Sequence, residues 1–189
     1  ESFSRWYSET PANFILSLKG SRFITHVKKL KSPIEPLDVF FSRVKALKEK
    51  LGVILWQFPP DFKADAEKLR KFIEVLSQYK AKNTFEFRDK SWINKKIISL
   101  LGKNNISMCI ADQPDFLCDL PATADFVYIR RHSADGKYIS CYNKEQLKID
   151  AKLVNKFIKQ GKDVFMYFNN DALGNAPKNA LELRNILKK

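Results

Sequence analysis

A parallel α/β barrel is the expected fold, on three grounds. Six short segments rich in β-branched and aromatic residues alternate with amphipathic helical patterns. The strand segments are almost continuously apolar, which suits strands buried on both faces beneath helices and not the half-exposed strands of an antiparallel sheet. Each strand segment also finishes in a polar or charged residue.

The elements follow in order. Phe3, Trp6 and Tyr7 have helical spacing and lead through Thr10-Pro11 into a first strand, Phe14–Lys19. A helix over Leu37–Leu51 places Phe40, Val44, Leu47 and Leu51 on one face, and the strand Val53–Phe58 follows. The helix Ala66–Tyr79, with Leu69, Phe72, Ile73 and Leu76 inward, precedes a third strand, Asn83–Arg88. Ile93–Leu101 is the next helix, followed by strands Ser107–Asp112 and Phe126–Arg131, the helix Gln146–Ile158, the strand Asp163–Asn169 and the helix Pro177–Leu187. Gly52, Gly102 and Gly161 read as C-terminal helix stops. Gln113–Ala124, with two prolines, reads as a loop or a short turn, and the polar stretch Arg131–Lys144 as a long loop.

At 189 residues, with no linker composition and no internal repeat, residues 1–189 read as one domain. The chain opens inside a helix that something should precede. Six strands and this truncated start fit about six of the eight βα units of a barrel of about 250 residues, with the first two units missing.

A composition of 44% hydrophobic and 29% charged residues is that of a folded protein. Apolar runs such as Val53–Trp56 and Phe126–Ile129 are far short of the roughly 20 residues of a membrane span, and no signal peptide is visible, so no membrane association is expected. Cys109, Cys118 and Cys141 lack CxxC spacing, which argues against a disulfide framework and for a reducing cytoplasm; Cys109 reads as a small core residue.

The net charge of +13 raises a nucleic-acid partner. Against it, 26 of the basic residues are lysines and only 8 are arginines, and Lys45, Lys48, Lys68, Lys71, Lys152, Lys156 and Lys159 fall on outer helix faces, the pattern of solvated surface.

In a parallel barrel the C-terminal strand ends meet on one face, where ligands bind. Lys19 ends the first strand, Gln57 the second, Glu86 and Arg88 the third, Asp112 the fourth, Arg130 and His132 the fifth, Asn169 and Asn170 the sixth. Singly, each has an ordinary explanation: Glu86 and Arg88 as a buried pair, Asn169-Asn170-Asp171 as turn chemistry. The two histidines, His26 and His132, with Glu86 and Asp112, suit acid–base exchange or a divalent metal, although no HxH or HExxH spacing supports the metal. No GxGxxG or P-loop is present, so no nucleotide cofactor is evident. Trp92 reads as core or as a stacking surface for a base.

Several ordered motifs resemble the YecE-like family, domain of unknown function 72 (DUF72), whose members resemble TIM barrels. They are Lys19-Gly-Ser-Arg-Phe-Ile-Thr25-His26, Leu51-Gly-Val-Ile-Leu-Trp-Gln57-Phe-Pro-Pro60, Glu86-Phe-Arg88 with Ser91-Trp92, Tyr128-Ile-Arg130-Arg-His132, and Tyr167-Phe168-Asn169-Asn170-Asp171 with Ala176 and Asn179-Ala180. The family's opening Gly-Thr-Ser-Gly-Trp strand and the second strand with Glu, Asn and Phe-Tyr have no counterpart here, and its common His-Gly is His132-Ser133. The resemblance implies fold and site location, not a reaction. It groups Lys19, Thr25, His26, Gln57, Glu86, Arg88, Arg130, His132, Asn169 and Asn170 as one site.

The resulting expectation is an enzyme or former enzyme that binds a small anionic ligand, a phosphate or carboxylate. Lys19, Arg88 and Arg130 would hold it, Thr25, Gln57, Asp112, Asn169 and Asn170 would line it, and Glu86 with His132 or His26 would exchange protons in a hydrolysis or isomerisation. The alternative is a nucleic-acid-binding protein, as a metal-dependent nuclease or repair factor.

Overall fold

The computed structural model describes residues 2–112, 120–133 and 139–188. The chain divides into two compact units, Glu1–Ile106 and Ser107–Lys189.

The first unit opens with helix α1 (Ser2–Glu9), then strand β1 (Leu16–Lys19), a π-helical turn (Phe23–Val27) and helix α2 (Ile34–Val44). A 3-10 segment (Lys45–Lys50) leads into β2 (Leu51–Gln57), followed by α3 (Ala66–Leu76), β3 (Lys82–Glu86), a short 3-10 turn (Lys90–Trp92) and α4 (Lys95–Lys103). β1, β2 and β3 run parallel in that order. Val53, Ile54 and Trp56 of the central β2 are wholly buried, as the continuous apolar run requires. Around them Trp56 packs against Phe40 and Phe72, while Phe58 meets Phe62, Phe85, Phe87 and Trp92. Asp65 and Asn94 cap α3 and α4 by accepting from Lys68 N at 2.9 Å and Ile97 N at 3.0 Å, which satisfies orphan donors of the first turn.

The second unit holds short strands β4 (Ser107–Met108) and β5 (Ile110–Ala111), then β6 (Phe126–Arg131), α5 (Lys144–Lys159), β7 (Asp163–Phe168), a 3-10 turn (Ala172–Gly174) and α6 (Asn175–Leu187). β5, β6 and β7 are parallel in that order. The capping box Asn143/Gln146 starts α5, and Gly161, at φ +72°, follows its end. Arg131 on β6 meets Asp150 on α5 through Nε at 3.0 Å and Nη2 at 2.6 Å from Oδ1, with both side chains under 10% exposed. This buried pair fixes the helix on the sheet.

The alternation of strands and helices is as the sequence predicts, with four corrections. Gly52 is not a helix stop but lies in β2, where a Cβ would come 2.5 Å from Ile15 Cγ2 and 3.3 Å from Leu16 O, so that a side chain there would displace Ile15. Gly102 lies inside α4, and the α-helix predicted to reach Leu51 ends at Val44, the chain tightening into 3-10 turns. The predicted strand Ser107–Asp112 is interrupted at Cys109, which is buried as expected. Cys118, much of the loop Gln113–Ala124 and the middle of Arg131–Lys144 lie outside the described residues. Among the described residues no helix is long and apolar enough to cross a membrane.

Candidate functional site

In the first unit the parallel register places the predicted residues side by side. Gln57 and Glu86 are register partners at the ends of β2 and β3, so their side chains leave one face together. Lys19 Nζ, from the end of β1, donates to Gln57 Oε1 at 2.8 Å, and Gln57 Nε2 donates to Glu86 Oε1 at 2.8 Å. The strand ends before Arg88, whose Nε donates to the same Oε1 at 3.2 Å. Glu86 is wholly buried, whereas Arg88 keeps about a quarter of its side chain in solvent and Lys19 is exposed. One carboxylate therefore anchors a row whose cations reach water.

The π-helical turn after β1 brings the next two residues to this row. A π turn inserts an extra residue and is common at functional positions. Here it buries Thr25 and leaves His26 half-buried, with Thr25 Oγ1 2.8 Å from His26 Nδ1. Burial holds the imidazole below its ordinary pKa, and the positive charges of Arg22, Lys19 and Arg88 push it further down, against a smaller opposing effect of Asp61. His26 is thus neutral at pH 7 in a positive field. Arg22, which ends no strand, joins this group through its charge on His26; its signal in the sequence is its place in the motif between Lys19 and Thr25.

In the second unit the predicted residues serve different ends. Arg130 Nε donates to Asn169 Oδ1 at 3.0 Å, joining β6 to the residue that follows β7. Asp112 Oδ1 accepts from the His132 backbone N at 2.6 Å, and Oδ2 accepts from the Tyr142 hydroxyl. Burial raises the Asp112 carboxyl above its ordinary pKa despite these donors, and burial with the adjacent carboxylate raises the Tyr142 hydroxyl. Tyr142 OH in turn accepts from Ser133 N at 2.8 Å, so it bridges the ends of β5 and β6. Asn170 Nδ2 donates to Ser140 O and to Asn179 Oδ1, both at 2.9 Å, and Asn179 holds both backbone groups of Tyr142. Asn170 therefore pins the chain before α5. Sequence reasoning assigned no role to Tyr142 or Asn179, since neither ends a strand.

Ser133 has φ +113°, a conformation that suits glycine, the family's residue here. Ser133→Gly is expected to raise the urea midpoint, with a gain of about 1 kcal/mol; an unchanged or lower midpoint would show that the serine is not strained.

Trp92 is wholly buried, stacked on Phe87 at 4.8 Å with Nε1 donating to Phe62 O, so it is core and not a surface for a base. Among the described residues no group of three or more His, Cys, Asp or Glu is placed to hold a metal ion.

These features define a class: an α/β protein with parallel sheets and helices, whose polar strand ends include a cationic row organised on a buried glutamate. The family profile described as "Protein of unknown function DUF72" matches residues 1–189, and the chain belongs to that family. It is similar to the UPF0759 protein YunF of Bacillus subtilis strain 168, at 25% identity over 97% of this chain and 76% of that protein. The crystal structure of a DUF72 family protein of Thermotoga maritima MSB8 matches with a TM-score of 0.87 and 28% identity, covering 100% of this chain and 79% of that one. A DUF72 family protein of Enterococcus faecalis V583, 21% identical over 100% of this chain and 79% of its own, shares the fold with a TM-score of 0.88.

Proposed function

We propose that the strand ends of the first unit bind a small anion, a phosphate or a carboxylate, and that His26 exchanges a proton with it. The observation that carries this reading is the row Lys19–Gln57–Glu86–Arg88 across three adjacent strands, with one buried carboxylate set against several cations. Glu86 and Gln57 orient Lys19 and Arg88 before any ligand arrives, which lowers the cost of ordering them on binding. Arg88 supplies a planar fork suited to carboxylate or phosphate oxygens, Lys19 a point charge, and Thr25 a hydroxyl beside the imidazole. A neutral histidine in a positive field is a base that becomes an acid once an anion enters. Hydrolysis or isomerisation of a phosphate or carboxylate ester is the chemistry such a group would serve.

Titration of the whole chain with sulfate, whose charge does not change near neutrality, tests the reading by calorimetry. Lys19→Met and Arg88→Met are each expected to weaken binding about 10- to 100-fold, the worth of one charged hydrogen bond. An entering anion stabilises the imidazolium, so affinity should rise as pH falls from about 7 to 5, and His26→Gln should flatten that rise. The linkage to stability has the opposite sign. Because the folded pKa of His26 lies below the unfolded value, the unfolded chain takes up the proton first as pH falls below about 6.5, and stability declines until sulfate restores it. Sulfate binding that is unchanged in both methionine variants removes the proposal.

A further inference from the structure

Helix α5 presents its lysines in a pattern found on no other helix among the described residues. Lys144, Lys148, Lys152, Lys156 and Lys159 are all exposed. At 3.6 residues per turn they fall within an arc of about 120°, rising along roughly 22 Å of helix. The opposite side of α5 is spent on the fold: Leu147, Asp150, Ala151, Val154 and Phe157 are buried. Helix α3 carries acids among its cations, with Arg70 between Glu67 and Glu74, Lys68 on Asp65 and Lys71 near Glu67. The exposed side of α5 carries a single acid, Glu145, paired with Lys148 at 2.8 Å. Like charges at i, i+4 spacing along one helix face repel one another, a cost that an oppositely charged partner reduces.

We propose that this lysine row is a docking surface for the phosphate backbone of a nucleic acid, engaged without regard to base sequence. Over about 22 Å a duplex presents about six phosphates on one strand, close to one for each lysine. Lysine offers a flexible point charge and not the planar fork that reads guanine edges, so the row fits backbone contact and not base readout. An anionic membrane fits less well. An interfacial helix needs a continuous apolar strip to insert, and here the apolar face is buried in the fold. Of the exposed apolar residues, Ile149 and Ile158 stand apart on opposite borders of the lysine arc.

The test is fluorescence anisotropy of the whole chain with two 20-base-pair DNA duplexes of unrelated sequence, between about 50 and 200 mM salt. Binding should be equal for both duplexes, with log K falling against log salt at a slope of about −4 to −5, the value for five neutralised phosphates. Replacing all five α5 lysines with Gln, a comparable helix former, should remove most of that slope. The double variant Lys148→Gln/Lys152→Gln should reduce it by about two and serves if the quintuple variant loses its helical circular dichroism. A control removing five exposed lysines elsewhere (Lys45, Lys71, Lys80, Lys95 and Lys103) should leave the slope within error. Equal loss in the control, a flat salt response, or α5-dependent binding to phosphatidylserine vesicles without duplex binding would each overturn the proposal.

Discussion

Asp150→Ala is expected to lower the free energy of unfolding by about 3–5 kcal/mol, measured by urea denaturation of the whole chain. Asp150 receives both Nε and Nη2 of Arg131, with the two side chains only 7% and 6% exposed. Deleting the carboxylate takes from a guanidinium deep in the second unit the anion that receives two of its nitrogens. The double variant Arg131→Met/Asp150→Leu should recover most of the loss, because an apolar pair of similar volume has no desolvation penalty. A cost under about 1 kcal/mol for Asp150→Ala would mean that water reaches the pair freely. The large effect expected here does not make the pair a net source of stability; it measures the cost of breaking it on one side.

Gly20→Ala should damage both stability and the proposed site. A Cβ on Gly20 would stand 2.3 Å from Trp56 Cε3 and 2.6 Å from Cζ3. Trp56 cannot retreat, since it is wholly buried, lies against Phe40 and Phe72 and donates from Nε1 to Asn83 Oδ1 at 2.9 Å. The end of β1 must move instead, at a cost of about 1–3 kcal/mol. Lys19 precedes Gly20 and would be carried away from Gln57, so sulfate binding should fall with stability, whereas Asp150→Ala should leave it nearly unchanged under folding conditions. An alanine variant with normal stability and normal sulfate affinity would show that the strand end has slack.

The identity of the strands and most helices was legible in the sequence. Buried parallel strands are recognisable one at a time, because each must be apolar along its whole length and flanked by a helix of different period. The motif order was equally legible and carried the family. Lys19, Gln57, Glu86 and Arg88 were legible as a group for the same local reason, as each stands at or just beyond the end of its own strand.

Other features depend on contacts made across the chain, and for these a linear pattern holds no signal. Gly52 and Gly102 resemble helix stops in sequence, yet Gly52 lies in β2 against Ile15 and Gly102 lies inside α4. Arg131 looks like a neighbour of Arg130 in one motif, but alternation along β6 sends the two to opposite faces, one toward Asn169 and the other into a buried pair with Asp150. Tyr142, far from any strand end, is brought to Asp112 by hydrogen bonds to Asn179. The periodicity, the parallel α/β class and the residue types at the strand ends are local properties, readable in the linear chain because they arise from burial and backbone preference. Which polar groups satisfy one another inside each unit, and which turn outward, is settled in three dimensions, because it depends on distances between residues dozens of positions apart.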